Sequence, residues 1–298
     1  MEKFGLCNEM LWPKDASCAF SFCFDLDGDT IWNNKTRKIP LGESFIKSRS
    51  VGLYGPRKGA DHLLDIMAKY RLKATFFVPG DIAARYPEVL SRIVDMGHEV
   101  AHHGYFHEDS YGDTVEKQID VIERSQNVFE RVVGRRAVGF RCTASLLPET
   151  EKILYEDKNT LYVSAGGRDD EQCRFIQVNG HETQAVLIPT RVELDDYIET
   201  VFNHYPPIPV GLPGISAYED VLSNFIHELN GAARFGNAVT SAFHPQLSGS
   251  PGKSMIIEKL CQYIVSNEKI WCATCEEIAL WWKKNHKLGS EEGGGGDE

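Results

Sequence analysis

The strongest constraint on the fold of this chain is a regular alternation of short apolar segments with longer segments of helical periodicity. The apolar segments predict strands at 18–24, 74–78, 99–102, 137–141, 161–164, 185–188, 238–243 and 270–273. Apolar residues recur at helical spacing in 60–70, 82–96, 114–133, 218–235 and 255–266. Such alternation is typical of a parallel sheet covered by helices. Because all these units fit into 298 residues, we favour a (β/α) barrel over an open sheet.

Two segments between these units are interpreted as long loops. Residues 32–56 show no clear periodicity and predict a loop after the first strand that forms a wall or lid of a site. Residues 202–216 contain four prolines and two glycines and predict a second loop. We expect a single catalytic domain over residues 1–288 and a disordered tail, rich in Gly and Glu, at 289–298.

The charge balance narrows the range of partners. With 32 Lys and Arg against 43 Asp and Glu, the formal charge is -11, which argues against nucleic acid or an anionic membrane as the main partner. The start of the chain lacks the basic flank and apolar centre of a secretory signal, and we expect a cytoplasmic protein. Several of the eight cysteines lie within apolar segments, which favours buried thiols over a disulfide framework.

The one Cys-x-x-Cys pair, Cys272 and Cys275, has both a functional and a structural interpretation. The spacing occurs in zinc and redox sites, but no second cysteine pair follows it. Thr274 and Glu277 have the spacing of a capping box at the start of an apolar-periodic helix. The structural interpretation is therefore favoured.

Asp25 and Asp27 follow the first predicted strand, in the sequence Phe-Asp-Leu-Asp. Side chains two residues apart in an extended chain lie on the same side. Two carboxylates at one strand end repel each other unless a cation or a shared proton separates them. A solvated turn or a helix cap explains this segment equally well.

Four of the ten histidines fall within residues 98–107, around the third predicted strand. His103 and His107 are four residues apart, the spacing that presents two imidazoles on one face of a helical turn. One carboxylate and two histidines leave open positions on a metal ion for water and substrate. Surface or packing histidines are the alternative. We expect His102 to face the opposite side and His98 to be structural.

Two further polar residues end predicted strands. Arg141 follows the fourth strand, where its guanidinium can pair with a carboxylate, although a surface arginine explains it equally well. His244 follows the seventh strand, the right place for a general acid or for a packing histidine. All four polar clusters follow strands, and barrel chemistry occurs at the C-terminal ends of strands. This agreement strengthens the functional interpretation of each cluster.

Taken together, these motifs resemble those of the polysaccharide deacetylase (NodB-homology) superfamily. The likeness is closest to the branch with intracellular peptidoglycan deacetylase-like proteins, cyclic imide hydrolases and allantoinase-related hydrolases, and it extends over residues 18–282. It is carried by Phe-Asp-Leu-Asp at 24–27, Lys-Ala-Thr-Phe-Phe-Val-Pro-Gly at 73–80, the histidine-rich segment 97–107, Gly-Phe-Arg at 139–141 and Phe-His-Pro-Gln at 243–246.

The resemblance implies a deformed (β/α) barrel of about seven strands that assembles into a homo-oligomer, a dimer or tetramer. It implies that one divalent metal ion, usually zinc, is bound by Asp27, His103 and His107. It also implies that Asp25 is the catalytic base, that Arg141 holds this base, and that His244 is the general acid.

The sequence departs from the family pattern at positions that the resemblance assigns to the substrate side. These positions are 142–145, 169–172 and 191–196, where the expected prolines and aromatic residues are missing. These departures fit a specialised pocket with fewer aromatic walls. Because a secretory signal is not recognisable either, we expect hydrolysis of a non-peptide C–N bond in a small molecule such as a cyclic imide, a ureide or an N-acyl compound. The alternative is deacetylation of N-acetylglucosamine in peptidoglycan or a chitin-like polysaccharide. A non-catalytic binding protein of the same fold is the third hypothesis.

Overall fold

The computed structural model describes residues 12–36, 39–165, 172–200 and 216–287. Its strands are β1 (Cys18–Asp25), β2 (Ala74–Val78), β3 (Glu99–His102), β4 (Gly139–Phe140), β5 (Tyr162–Ala165), β6 (Arg174–Val178), β7 (His181–Asp195), β8 (Ala238–Ala242) and β9 (Ile270–Cys272). Its helices are α1 (Thr30–Thr36), α2 (Ile46–Tyr54), α3 (Ala60–Tyr70), α4 (Gly80–Arg85), α5 (Pro87–Asp95), α6 (Val115–Val133), α7 (Pro148–Glu156), α8 (Asp196–Thr200), α9 (Tyr218–Phe235), α10 (Pro245–Ser248), α11 (Pro251–Val265) and α12 (Cys275–Asn285).

Seven of these strands form a closed parallel barrel. The pairing runs β1–β2–β3–β4–β5–β7–β8 and returns to β1, with every neighbouring pair parallel. Two strands lie outside this circuit: β9 pairs in parallel with β1, and β6 pairs antiparallel with β7. The predicted (β/α) barrel of about seven strands is confirmed.

Strand β1, which closes the barrel by pairing with both β2 and β8, is buried on both faces. All eight of its residues are buried, as expected for a parallel strand between an interior and a layer of helices. Phe20, Phe22 and Phe24 belong to the core cluster that includes residues of α3, α9 and α11. Ala19 and Cys23 belong instead to the cluster that contains interior residues of the neighbouring strands. Alternation along the strand thus divides its side chains between the two layers.

Most of the predicted elements are confirmed, but the prediction of one helix over 82–96 is wrong. The structure contains two helices there, α4 and α5, which are separated at Tyr86. Pro87 occupies the first turn of α5, and a residue that precedes proline is disfavoured in the helical region. Tyr86 accordingly has φ -130° and ψ 54°. Strand β6 was not predicted, since its apolar residues form no long segment.

The prediction of a long loop over 32–56 is also wrong. This segment contains the end of α1, a short 3-10 helix, and α2, which continues through a π-turn into α3. The helices of this segment lack a strong apolar stripe, because part of their packing is between backbone atoms rather than between apolar side chains. A Cβ atom on Gly52 would lie 2.3 Å from the carbonyl oxygen of Gly28. Residues 202–215 of the second predicted loop and the predicted tail at 289–298 lie outside the described residues.

The described part of the chain bears out the structural interpretation of Cys272 and Cys275. The predicted capping box is present, with Thr274 accepting from Glu277 N and the Glu277 carboxylate accepting from Thr274 N. Cys275 is buried, with its Sγ 3.5 Å from the Sγ of Cys23. All seven described cysteines are free thiols, and five of them are buried, as predicted. None of the helices in the described ranges is long and apolar enough to cross a membrane.

Candidate active site

The polar residues that end the strands converge at the C-terminal end of the barrel. Asp25 is the last residue of β1 and Asp27 lies two residues beyond it. His103 follows β3 directly, Arg141 follows β4 directly, and the carbonyl oxygen of His102 accepts a 2.9 Å hydrogen bond from Arg141 N. His244 lies just beyond β8. The structure brings these residues together, because parallel strands place their ends at one edge of the barrel.

Asp27, His103 and His107 form a group that fits a metal ion. The Oδ1 atom of Asp27 lies 3.5 Å from His103 Nε2 and 3.8 Å from His107 Nε2. Ligands about 2.1 Å from a tetrahedral zinc are separated by roughly 3.4 Å from one another. The Asp27 side chain is completely buried, and among the described residues its Oδ1 atom has no hydrogen-bond partner. An orphaned buried carboxylate oxygen is costly, and a cation removes that cost.

The hydrogen bonding of His103 prepares it to bind a cation. Its Nδ1 atom donates to the carbonyl oxygen of Arg141 at 2.6 Å, which leaves the Nε2 lone pair facing Asp27. Burial lowers the pKa of His103 to about 3, against the opposing charge of Asp27. The imidazole is therefore neutral at physiological pH, as a metal ligand must be.

The prediction that His103 and His107 share one face of a helical turn is wrong. Residues 103–109 form no helix, and the chain changes direction at Gly104, which has φ +72°. His107 itself adopts φ +54°, in the left-handed region. The two rings nonetheless meet, with their centroids 5.0 Å apart. A loop brings together the imidazoles that the sequence spacing assigned to a helix.

Asp25 forms a buried ion pair with Arg141. Arg141 Nη1 donates to Asp25 Oδ1 at 2.6 Å, and both side chains are less than a tenth exposed. The other donors of Arg141 bind the hydroxyls of Ser164 and Thr240 and the carbonyl oxygen of Ser241. Burial opposes the charge of Arg141, but the charge of Asp25 outweighs it and raises the pKa of Arg141 further. The second oxygen of Asp25 lies 3.9 Å from His103 Nε2, on the side of the metal ligands.

His244 is held by a carboxylate that the sequence analysis did not assign to the site. Asp196 accepts from the Nδ1 atom of His244 at 2.7 Å and from its backbone N–H at 3.0 Å. Ser248 Oγ also donates to Asp196, and Asp195 lies 3.8 Å from His244 Nδ1. Burial lowers the pKa of His244, but the charge and hydrogen bond of Asp196 outweigh it and raise the pKa to about 10. The position of Asp195 and Asp196 at the end of β7 is the signal that could have identified them.

The Asp195, Asp196 and His244 group also has the composition of a metal site. Its imidazole and carboxylate, however, are already joined by the hydrogen bond between His244 Nδ1 and Asp196. The ligand atoms around Asp27 are farther apart and include an oxygen without a partner among the described residues. The group around Asp27 is thus the better metal site of the two.

His98 and His102 lie away from this site, as predicted. His98 Nδ1 accepts a hydrogen bond from Ala74 N at 3.1 Å, and the ring packs against Phe76. His102 accepts from Gly104 N and packs against Phe140 with ring centroids 4.8 Å apart. His98 directly precedes β3 and His102 is its last residue, so their hydrogen bonds stabilise the two ends of this strand.

Comparisons with known proteins agree with this geometry. The polysaccharide deacetylase family model matches residues 54–162. A peptidoglycan deacetylase from Helicobacter pylori is 28% identical over 261 residues, which is 80% of this chain and 88% of that protein. A solved Mycobacterium smegmatis protein described as a polysaccharide deacetylase is 29% identical, with a TM-score of 0.81 over 91% of this chain and 92% of that one.

A solved Puue allantoinase shares the fold at 20% identity, with a TM-score of 0.77 over 92% of this chain and 93% of that one. The matched region, the barrel and the motifs at the strand ends point to one family. The chain contains a polysaccharide deacetylase (NodB-homology) domain, and its structural neighbours include polysaccharide deacetylases and an allantoinase. Enzymes of this deacetylase family are hydrolases that act on C–N bonds.

Proposed function

We propose that this protein is a metal-dependent hydrolase of a non-peptide C–N bond, with one divalent ion, zinc, bound by Asp27, His103 and His107. The observation that carries the proposal is the buried, unpartnered Oδ1 atom of Asp27 beside two imidazole nitrogens. Deacetylases of this family use a divalent metal. A bound zinc ion lowers the pKa of a water molecule and polarises the substrate oxygen.

In this proposal, Asp25 is the general base. Its Oδ1 atom is occupied by Arg141, so the Oδ2 atom on the side of His103 is the one available to take a proton from water. Arg141 fixes the orientation of Asp25 through a charge-assisted hydrogen bond. The further bonds of Arg141 to Ser164 and Thr240 hold the guanidinium in place.

His244 is the proposed general acid. Asp196 accepts the Nδ1 proton, so the Nε2 atom is the one that faces the site, 3.6 Å from Asp27 Oδ2. The carboxylates around the ring favour the imidazolium, the form that can donate a proton to the leaving nitrogen. Asp25 Oδ2 lies beside His103 Nε2, whereas His244 Nε2 lies beside Asp27 Oδ2, so the proposed base and the proposed acid reach the site from different residues.

The proposed substrate is a small molecule such as a cyclic imide, a ureide or an N-acyl compound. The residues assigned to the chemistry are deeply buried, and even the side chain of His107 is only 23% exposed. Phe235 is the one aromatic residue in the described ranges that is exposed, and it lies on a groove formed by β7, α9 and β8. Glycan-binding grooves stack sugar rings on exposed aromatic residues. The described residues of the site form a recess and include no exposed aromatic residue, which supports a compact substrate.

Deacetylation of an N-acetylated sugar in peptidoglycan is the second candidate. It is supported by the similarity to the Helicobacter pylori peptidoglycan deacetylase over most of both chains. We further propose a cytoplasmic homo-oligomer without a nucleic-acid or membrane partner. The free thiols and the formal charge of -11 support the location and the absence of such partners.

The test is a substrate panel assayed with protein whose metal content has been measured. Cyclic imides, ureides and acetylated sugar oligomers are compared at equal zinc occupancy, with His107→Ala as the control for contaminating activity. Turnover of imides or ureides alone supports the first candidate, and turnover of acetylated oligomers alone supports the second. Turnover that is equal in wild type and His107→Ala contradicts the metal-dependent mechanism.

A further inference from the structure

We infer that Asn34 and Glu108 are positioning residues that hold His107 in its metal-binding conformation. The inference rests on the proposed metal centre and adds residues to it. None of the other ligands has the same need for support. His103 directly extends β3, with its backbone N–H donating to Val78 O, and Asp27 follows β1. His107 lies in a loop, beyond the reach of the strand hydrogen bonds.

The backbone of His107 is unfavourable by itself. Its φ of +54° lies in the left-handed region, which residues with a side chain rarely adopt. A free loop would return to a negative φ and carry the imidazole away from Asp27. The conformation must therefore be held by contacts of the loop with its surroundings.

Asn34 supplies the first of these contacts. From α1, its Nδ2 atom donates to the carbonyl oxygens of Phe106 at 2.6 Å and His107 at 2.8 Å. Thr30, the first residue of the same helix, donates its hydroxyl to the carbonyl oxygen of Asp27 at 2.6 Å. One turn of helix thus connects the backbone of one ligand, Asp27, to the backbone of another, His107.

Glu108 supplies the second contact from within the loop. Its carboxylate accepts from Tyr105 N at 3.0 Å and from Phe106 N at 2.8 Å. It occupies the space beside Gly104, where an added Cβ atom would lie 2.4 Å from Glu108 Oε2. Glu108 thus binds the backbone N–H groups of the two residues that precede His107, and Asn34 binds the carbonyl oxygens of Phe106 and His107.

The principal test measures zinc binding to the metal-free protein by competition with a chromogenic chelator. Asn34→Asp keeps the size of the side chain but replaces the donating amide with a carboxylate that repels both carbonyl oxygens. Loss of a residue that orients a metal ligand typically weakens metal binding by about 10- to 100-fold. We expect the zinc Kd of Asn34→Asp to rise by at least about tenfold.

Lys35→Ala is the matched control on the same helix. Lys35 forms an exposed ion pair with Asp109 in the same loop, at 2.7 Å, and exposed pairs contribute little. We expect its zinc Kd to change by less than about twofold. Glu108→Gln retains an acceptor oxygen for the loop N–H groups, and Glu108→Ala retains none. Zinc binding should therefore be weaker in Glu108→Ala than in Glu108→Gln, and this pair carries the test if the Asn34 variant does not fold.

Urea unfolding of the metal-free variants separates positioning from general stability. Positioning predicts that the zinc Kd rises in Asn34→Asp although its unfolding midpoint stays close to that of Lys35→Ala. The inference is overturned if Asn34→Asp binds zinc as tightly as wild type, or if Lys35→Ala weakens binding equally. If wild type and His107→Ala bind zinc equally, the proposed metal centre itself fails, which is a different result.

Discussion

Replacing Asp25 with Asn tests the proposed division of labour between base and metal ligand. The amide is nearly isosteric with the carboxylate but cannot accept the proton of an attacking water molecule. The Asn oxygen can still accept from Arg141 Nη1, the bond that measures 2.6 Å in the structure. The metal ligands are not altered. The substitution therefore removes a proton acceptor while it preserves the shape of the site.

The expected magnitudes follow from the contacts of the pair. General base catalysis contributes about 10²- to 10⁴-fold, so kcat should fall within that range. Breaking a buried ion pair by removing one partner costs about 3–5 kcal/mol. Arg141 keeps its bonds to Ser164, Thr240 and Ser241, and it keeps a neutral acceptor at position 25. We therefore expect a loss of unfolding free energy at the lower end of this range, about 3 kcal/mol.

Elemental analysis first determines the zinc content of wild type and Asp25→Asn as purified, and turnover is then compared per bound zinc ion. Steady-state turnover is measured on the best substrate of the panel, and urea unfolding gives the free energy of unfolding. The expected result is a folded variant with full metal content and a kcat reduced at least about 100-fold. Near-normal turnover in the metal-loaded variant would refute the role of Asp25 as base. Loss of metal together with activity would show that Asp25 is a ligand instead.

Three further predictions concern two residues of the site, His107 and His244, and the buried carboxylate of Glu99 at the opposite end of β3. His107→Ala should lose both zinc and activity while remaining folded, which elemental analysis and circular dichroism can check; equal metal content in both proteins contradicts the ligand assignment. His244→Ala should lower kcat more for an N-acetyl amine than for a cyclic imide, since an imide nitrogen leaves more easily as an anion; an equal loss argues that His244 only orients or packs. Burial raises the pKa of Glu99 from 4.5 to about 7, against its hydrogen bonds from Tyr162 and Thr75, so its contribution to stability is complete below pH 4.5 and lost as the pH rises to 7. The free energy of unfolding of Glu99→Gln, measured by urea unfolding, should therefore rise by up to about 3 kcal/mol relative to that of wild type between pH 4.5 and pH 7. A difference between the two proteins that does not vary with pH would contradict the raised pKa of Glu99.

The sequence by itself determined the barrel and most of the residues at its C-terminal end. Strand β1 is identifiable because its apolar segment is continuous, and the two-residue spacing of Asp25 and Asp27 follows from the geometry of an extended chain. The clustering of histidines at 98–107 is likewise visible without a structure. These features are local, so neighbouring residues are sufficient to reveal them.

The tertiary structure decided which distant groups support those residues. Asp196 meets His244 from a position 48 residues away, and Asn34 binds the carbonyl oxygen of His107 from 73 residues away. The left-handed backbone of His107 and the helix α2 leave no periodic pattern, because each is stabilised by contacts with other segments. Periodicity records only the face that an element buries, whereas the partner of a polar group depends on how the chain closes the barrel.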